Sequence, residues 1–367
     1  MTPTRLTRLT RRSRRRRAAG VPVLAVALAA ALGACTPAPG LEWDTVAAPA
    51  GCRCADGSPF QFWQRRADTK RVVLFLNGGG VCWDAATCAL TGEHGESDVY
   101  DWSVRGTEPE NRSGMFDVTR KDNPFRDWSF VYVSSCTGDA HLGDTTGDYG
   151  GGLSVEHRGA VNGRAALDHL AATYPDATDV VVIGKTAGSV AAPLYGGMVA
   201  DLLPDARVTV LGAQSGAWPD HPGLDESVLD ARWGAFDAAP QWAVDGLAAR
   251  AWGPPAFWVQ AGHHDPDLVL GRFDYAYDPH ASSEVARWIP GDPPDLLAQI
   301  DANEARIEAA GVPVHSYTAP GAGHGIFELD AFYSTRVDGV RLVDWIAELV
   351  GDDPPADVRC TDCAAAP

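Results

Sequence analysis

Apolar runs rich in β-branched residues alternate with segments of helical spacing along most of the chain. Continuous runs that end at turn residues predict buried strands, and apolar residues repeated every three or four positions predict helices. The predicted strands are Arg71–Asn77, Trp128–Val133, Asp179–Ile183, Ala206–Leu211, Pro255–Ala261 and Val312–Thr318. The predicted helices are Ala160–Tyr174, Gly188–Leu203, Pro294–Ala310 and Val337–Val350. This alternation predicts an α/β fold, a mostly parallel sheet with helices on both faces, with loop-rich insertions (84–127 and 219–254) over its carboxyl edge.

The first 35 residues have the composition of an export signal. Residues 1–17 carry eight arginines and no acidic residue, and an apolar stretch follows from Val21 to Ala34. Small residues then precede Cys35, which predicts a lipoprotein-type signal peptide over 1–35 with lipidation at Cys35, and simple secretion is the alternative. We expect a tether over 36–51, a single domain over 52–367, and no other segment that crosses a membrane.

Acidic residues dominate the rest of the chain. Without the eight leader arginines, 22 Lys and Arg face 48 Asp and Glu, a net charge near −26. Such a surface repels phosphate backbones, so nucleic acid is not an expected partner. The same charge disfavours a polyanionic substrate.

Seven cysteines follow Cys35, and an odd number in an oxidising compartment predicts one free thiol. We expect Cys82 and Cys88 to close a short loop. The pairs Cys52/Cys54 and Cys360/Cys363 are expected to staple the two ends of the chain, which leaves Cys136 unpaired. A zinc site built from those four terminal cysteines is the alternative.

The segment after Asp179–Ile183 has the pattern of a nucleophile elbow. It begins GKTAG (Gly184–Gly188) and runs into a predicted helix, the strand–turn–helix context in which G-x-S-x-G presents a nucleophile. Thr186 stands at the nucleophile position, and its hydroxyl can attack an acyl carbon once a base removes the proton. The β-branched side chain resists the strained backbone of an elbow. Two alternatives are that Ser189 substitutes for it and that the segment is an ordinary glycine-rich turn.

Three glycines, Gly78 to Gly80, follow the first long strand. Their backbone N–H groups are free to point into a cleft, so Gly79 and Gly80, with the N–H of Ala187, form a candidate oxyanion hole. A phosphate cradle is the competing interpretation. It is disfavoured because no G-K-[ST] motif and no dinucleotide-type spacing follows.

His324, in the segment GAGHG, is the candidate general base. It lies after a late predicted strand and before the last predicted helix, where the chain order Ser…Asp…His places a histidine. The acid is expected after the strand predicted at Pro255–Ala261, which makes Asp265 and Asp267 equal candidates. Asp274 and Asp278 are interpreted as solvated loop carboxylates.

A metal site is a minor alternative. It would combine six residues of metal-ligating types, namely His263, His264, Asp265, Asp139, His141 and His157. The fixed spacing of known metal motifs, such as H-E-x-x-H, is absent from the sequence. We therefore predict no metal and no cofactor.

Taken together, these motifs resemble the pectin-acetylesterase family, which includes Notum-type carboxylesterases. The matching segments are Leu76–Cys88, Val131–Asp144, Val155–Leu167, Gly184–Gly197, Gly321–His324, Val337–Val350 and the terminal CTDC. The resemblance implies an α/β-hydrolase fold with a Ser–His–Asp triad. Carried over, the elbow is Thr186, the base His324 and the acid Asp267 or Asp265. The family elbow reads G-x-S-A-G, so the chain departs from it at Thr186.

The resulting hypothesis is a carboxylic-ester hydrolase that acts on an acylated small molecule or polysaccharide through an acyl-enzyme. We expect a monomer that touches the membrane only through a lipid on Cys35. The alternative, favoured by Thr186, is a catalytically silent envelope protein that binds acylated glycan or lipid.

Overall fold

The computed structural model describes residues 42–92, 99–109, 112–289 and 295–364. The predicted signal peptide and Cys35 lie outside these residues, as does Pro294, the predicted start of a helix. Part of the predicted tether is described and is a strand, Asp44–Ala47, which pairs with the central sheet. The folded part of the chain therefore begins before residue 52, earlier than the sequence predicted.

The described strands fall into one large sheet and two small hairpins. They are β1 (Asp44–Ala47), β2 (Gln61–Arg65), β3 (Asp68–Leu76), β4 (Trp128–Val133), β5 (Thr145–Asp148), β6 (Ser154–His157), β7 (Asp179–Lys185), β8 (Arg207–Ala213), β9 (Val269–Tyr275), β10 (His315–Ala319), β11 (Arg336–Val337), β12 (Val340–Arg341) and β13 (Val358–Arg359). The large sheet has the order β1-β2-β4-β3-β7-β8-β9-β10-β13. All pairs from β4 to β13 are parallel, and β2 joins β4 antiparallel. The predicted mostly parallel sheet is confirmed.

Ten α-helical segments are formed by the described residues. They are α1 (Gly159–Thr173), α2 (Ala187–Leu202), α3 (Pro222–Leu224), α4 (Ala235–Ala238), α5 (Gln241–Val244), α6 (Pro254–His264), α7 (Pro279–Trp288), α8 (Leu296–Ala309), α9 (Ala331–Ser334) and α10 (Leu342–Leu349). None of them is both long and apolar enough to span a lipid bilayer.

Strand β3 shows how the sheet holds two cores. Val72, Leu74 and Leu76 face one apolar cluster, which includes side chains of α1, α2 and α6. Val73 and Phe75 face the other, which includes α9 and α10. Successive side chains of a strand point to opposite faces, so a strand covered on both sides needs a continuous apolar run. RVVLFLN was predicted as a strand for this reason.

One predicted strand is wrong. Pro255–Ala261 lies inside helix α6, and the strand beside β8 is β9, one segment further along the chain. Pro254 and Pro255 occupy the first helical positions, where a missing N–H costs nothing. The buried residues of the helix include Pro254, Phe257, Trp258 and Ala261, a helical i, i+3, i+4, i+7 spacing. Strand β9 was missed because Arg272 and Asp274, which form a buried ion pair, interrupt its apolar run.

The disulfides are Cys54–Cys136, Cys82–Cys88 and Cys360–Cys363. The predicted Cys82–Cys88 loop is confirmed. The prediction that Cys136 is unpaired is wrong, because it joins Cys54 and leaves Cys52 as the buried free thiol of the described residues. The alternative zinc site is left with one thiol, because its other three cysteines are all oxidised.

Candidate active site

A single residue, Thr186, connects strand β7 to helix α2. Its backbone has φ 47° and ψ −118°, a conformation that β-branched residues rarely adopt and that costs roughly 1–3 kcal/mol. The N–H of Thr186 donates to the carbonyl of Ala213 at 2.8 Å, which ties the turn to β8. A strained residue at the carboxyl edge of a parallel sheet is typical of a functional position.

Glycines allow this turn to pack against its neighbours. A methyl group on Gly188 would overlap the carbonyl oxygen of Leu76, at the end of β3. One on Gly78 would overlap the hydroxyl of Thr186. The elbow and the glycine loop after β3 are therefore in direct contact, and the Thr186 hydroxyl lies against that loop.

The imidazole of His324 is hydrogen-bonded to a buried carboxylate. Its Nδ1 lies 2.7 Å from Oδ2 of Asp278, whose side chain is buried. The other oxygen of Asp278 accepts from the N–H of His280 at 2.8 Å and caps helix α7. Because a carboxylate accepts, Nδ1–H of His324 donates, which leaves Nε2 available to take a proton.

The predicted acids, Asp265 and Asp267, are replaced by Asp278 as the partner of His324. Asp265 is the C-cap of α6, and both residues precede β9, so they lie at its amino end. Thr186 and Asp278 follow the carboxyl ends of β7 and β9, which are parallel to β8 between them. Seven residues of strand span roughly 20 Å, so Asp265 and Asp267 are on the wrong edge of the sheet. Asp278, like the predicted acids, follows a strand, but that strand is β9 and not the one predicted at Pro255–Ala261.

One cleft of about 550 Å³ brings most of the remaining predicted residues together. It is lined by Asn77, Gly78, Gly79, Gly80, Asp101, Gly106, Thr107, Glu108, Phe116, Tyr132, Lys185, Thr186, His324, Gly325, Glu328 and Leu329. Lys185 and Glu328 form an ion pair at 2.5 Å within this lining. The acidic side chains Asp101 and Glu108 give the cleft an acidic character.

The glycine loop is fixed at its far end. The carbonyl of Gly79 accepts from the N–H of Asp101 at 2.7 Å, and Gly80 has φ 69°, a left-handed conformation that suits glycine. Ala187 begins α2, and the first N–H groups of a helix have no partner inside it. The N-terminus of α2 therefore favours negative charge beside Thr186.

Gln214 supports the His324 loop and Glu284 lies within the electrostatic influence of His324, and the sequence indicated neither residue. Gln214, at the end of β8, has φ 71°, and its Oε1 accepts from the N–H of Gly325 at 2.9 Å. Glu284 on α7 accepts from the indole of Trp218 at 2.9 Å, and burial raises the pKa of Glu284 to about 7, partly offset by that bond and by His324. The Asp-Pro pair at 278–279 is a helix-start signal that identifies Asp278 as a cap, although not as a partner of His324.

Ser189 is fully buried one turn into α2. Its hydroxyl donates to the carbonyl of Thr186 at 2.8 Å and contacts the hydroxyl of Ser215. Because its hydroxyl is buried and already bonded, Ser189 is not placed to replace Thr186 as a nucleophile.

The histidines of the alternative metal site have separate partners. His263 and His264, at the end of α6, bond to the carbonyl of Ala310 and to Asp201. His141 and His157 bond instead to the carbonyls of Asn77 and Thr137. Within the described residues, the clusters of metal-ligating atoms do not include His263, His264 or Asp265, so this proposed ligand set does not assemble.

Comparison with known proteins places this geometry in a family. Residues 42–229 match the sequence profile of the family described as pectinacetylesterase. Among solved structures, the chain is similar to the Wnt deacylase Notum from Drosophila, with a TM-score of 0.64 and 18% sequence identity over 87% of this chain and 96% of that one. At that identity the likeness shows the fold, an α/β-hydrolase-like sheet with helices. No curated protein sequence matches the chain significantly. Because the family profile covers more than half of its length, this chain belongs to the pectinacetylesterase family.

Proposed function

We propose that the protein is a carboxylic-ester hydrolase that forms an acyl-enzyme on Thr186, with His324 as base and Asp278 as the acid. The observation that carries the proposal is the 2.7 Å contact of Nδ1 of His324 with buried Asp278, in a cleft that also contains the strained Thr186. Membership of an esterase family supports it. No step requires a cofactor.

The reaction follows from the roles of these groups. Nε2 of His324 takes the hydroxyl proton as Oγ1 of Thr186 attacks the ester carbonyl carbon. The N–H groups of Gly79, Gly80 and Ala187 hold the oxyanion, and the alcohol leaves with the proton from His324. Water then attacks the acyl-threonine with His324 as base, which releases the carboxylic acid and restores the hydroxyl. Asp278 keeps the imidazole in the tautomer that this sequence needs.

Thr186 is expected to slow both acyl transfers. Its methyl group occupies space beside the attacking oxygen, and displacement of a reacting atom by about 1 Å costs roughly a hundredfold in rate. We expect Thr186→Ser to raise kcat for p-nitrophenyl acetate about 10- to 100-fold, and Thr186→Ala to abolish turnover. Steady-state hydrolysis by the three purified proteins measures this. Turnover that persists in Thr186→Ala would exclude Thr186 as nucleophile.

A silent binding protein is the second candidate, favoured by Thr186 itself. In that case the cleft retains its shape but binds acylated glycan or lipid without turnover. A fluorophosphonate probe separates the two functions, because an acyl-transferring hydroxyl forms a covalent adduct visible by intact mass. An adduct that is lost in Thr186→Ala supports the esterase, and a folded native protein without adduct supports the binder.

The acyl acceptor is proposed to be a small molecule or a polysaccharide without high negative charge. Asp101 and Glu108 line the cleft, and the chain without its leader carries a net charge near −26, with 48 Asp and Glu against 22 Lys and Arg. Both disfavour a polyuronide. Hydrolysis of acetylated neutral xylan should therefore exceed that of acetylated polygalacturonate, and the opposite order at physiological salt contradicts this assignment.

The disulfides Cys54–Cys136, Cys82–Cys88 and Cys360–Cys363 are typical of exported proteins. Export as a monomeric lipoprotein, lipidated at Cys35, fits the leader sequence. Labelling with a palmitate analogue in expressing cells should mark the native protein and not Cys35→Ala. Equal labelling of both contradicts lipidation at this residue.

A further inference from the structure

Behind the glycine loop lies a turn that holds His141. This residue is 2% exposed, and its Nε2 lies 2.8 Å from the carbonyl oxygen of Asn77, the residue before Gly78. Burial lowers the pKa of His141, which keeps the imidazole neutral. Because a carbonyl only accepts, the single ring proton is on Nε2 and is donated to Asn77.

The turn is strained and is held from two sides. Ala140 has φ 52° and His141 has φ 62°, both left-handed conformations that are uncommon for residues with a Cβ. Asp139 accepts from the N–H of Gly159 at 2.7 Å, at the start of α1. Tyr195 on α2 donates its hydroxyl to the carbonyl of His141 at 3.0 Å. Two consecutive residues of this kind persist only when their surroundings determine them, which is common where position matters.

Peptide geometry connects His141 to the candidate oxyanion hole. In a planar trans peptide, the C=O of one residue and the N–H of the next point in opposite directions. With the carbonyl of Asn77 held by His141, the N–H of Gly78 is turned away from the imidazole. At the other end of the loop, the bond from Asp101 to the carbonyl of Gly79 fixes the N–H of Gly80 in the same way.

From this geometry we infer that His141 is a positioning residue, which fixes the direction in which the glycine loop leaves β3 and so aims its N–H groups. The inference rests on the proposed function, because an aimed loop matters only if an oxyanion forms beside Thr186. Gly78 lies against the Thr186 hydroxyl, so a rotation of the Asn77–Gly78 peptide would change the contact between Gly78 and that hydroxyl.

His157 offers a matched control in the same buried network. Its Nδ1 bonds to the carbonyl of Thr137 at 2.8 Å and its Nε2 to the hydroxyl of Tyr149 at 2.7 Å. It is buried, like His141, but neither of its partners is adjacent to the glycine loop, whereas Asn77 immediately precedes Gly78. A purely structural role therefore predicts similar losses for both histidines, whereas a positioning role predicts a loss of kcat at His141 alone.

The kinetic test compares His141→Leu, His141→Gln and His157→Leu in both the native and the Thr186→Ser proteins. His141→Leu frees the Asn77–Gly78 peptide, from which Gly79 and Gly80 continue. Displacement of a reacting group by about 1 Å costs roughly a hundredfold in rate, so His141→Leu should lower kcat about 100-fold with KM changed by less than about threefold. His141→Gln retains an N–H donor and should recover most of that rate. His157→Leu should lower the unfolding temperature comparably but keep kcat within about threefold of its parent. Equal kcat losses in His141→Leu and His157→Leu overturn the inference.

If neither the native nor the Thr186→Ser protein hydrolyses an ester, the proposed function is refuted but the positioning of the loop by His141 is not. A second measurement then tests that positioning without any need for activity. In ¹⁵N-histidine spectra, His141 should be neutral with its proton on Nε2. A crystal structure of His141→Leu should show the Asn77–Gly78 peptide rotated from its position in the native crystal. A proton on Nδ1, or an unchanged peptide in the variant, overturns the inference.

Discussion

The two halves of the candidate active site are built in different ways. The elbow half consists of consecutive residues, in which β7, Thr186 and α2 follow one another without a gap. The base half joins Asp278 after β9 to His324 after β10, 46 residues apart in sequence. The elbow is therefore encoded by a local pattern of glycines. The pair depends on which strands are neighbours, so it is encoded only through the whole sheet.

Among changes that test this difference between the two halves, removal of the carboxylate of Asp278 should reduce kcat the most. Asp278→Asn is expected to lower kcat about 10⁴-fold, the order seen when the acid of a serine-protease triad becomes an amide, because the imidazole then adopts the wrong tautomer. The matched controls Asp265→Asn and Asp267→Asn should retain kcat within about twofold. Steady-state ester hydrolysis measures the effect, in whichever of the native and Thr186→Ser backgrounds is more active. A larger loss at Asp265 or Asp267 would restore the prediction made from the sequence.

A smaller effect is expected at Gln214, which supports the base half from β8. Gln214→Met keeps the side-chain length but removes the acceptor for the N–H of Gly325, next to His324. We expect kcat to fall about tenfold, because a misplaced base costs less than a lost one. Gln260→Met is the control, since Gln260 bonds to backbone carbonyls of the 242–245 segment and does not line the cleft. Equal rates in the two variants would show that Gln214 does not position the loop.

The smallest effect concerns the pH dependence of stability near His324. Burial raises the pKa of Glu284 to about 7 from an ordinary value of 4.5, so the folded protein binds more protons than the unfolded chain between these values. The stability contributed by this group is complete below pH 4.5 and is lost as the pH rises through about 7.

Glu284→Gln removes the titrating carboxyl group and therefore the loss of stability at high pH. The unfolding temperature of the variant relative to the native protein should therefore be higher at about pH 8 than at about pH 5, as measured by calorimetry. Glu348→Gln, at an exposed glutamate on α10, is the control for the substitution itself. If the difference in unfolding temperature between the variant and the native protein is the same at both pH values, the charge of Glu284 does not destabilise the folded protein.

Helices and strands with a clear period were predictable from the sequence. Trp128–Val133 is found with the predicted bounds, and α1 and α2 are each displaced by one residue. The exceptions have local causes. The sequence of α6 contains a proline pair and a run of bulky apolar residues, which resembles a buried strand. In β9, the two residues of a buried ion pair interrupt the apolar run that would otherwise predict a strand. Because of that exchange of one strand for one helix, the sequence predicted the acid at Asp265 and Asp267, whereas the carboxylate that bonds to His324 is Asp278.

The sequence by itself determined the alternation of strands and helices that predicts a mostly parallel sheet, the Cys82–Cys88 loop and the glycine elbow at Thr186, because each depends on residues close together in the chain. Only the tertiary structure decided that Asp278 holds His324, that Cys54 pairs with Cys136 and that His141 contacts the loop before Gly78. These contacts join segments between 46 and 82 residues apart, and each requires a particular order of strands. The physical reason is that a side chain meets a distant partner only after packing has fixed both backbones, which no local pattern specifies.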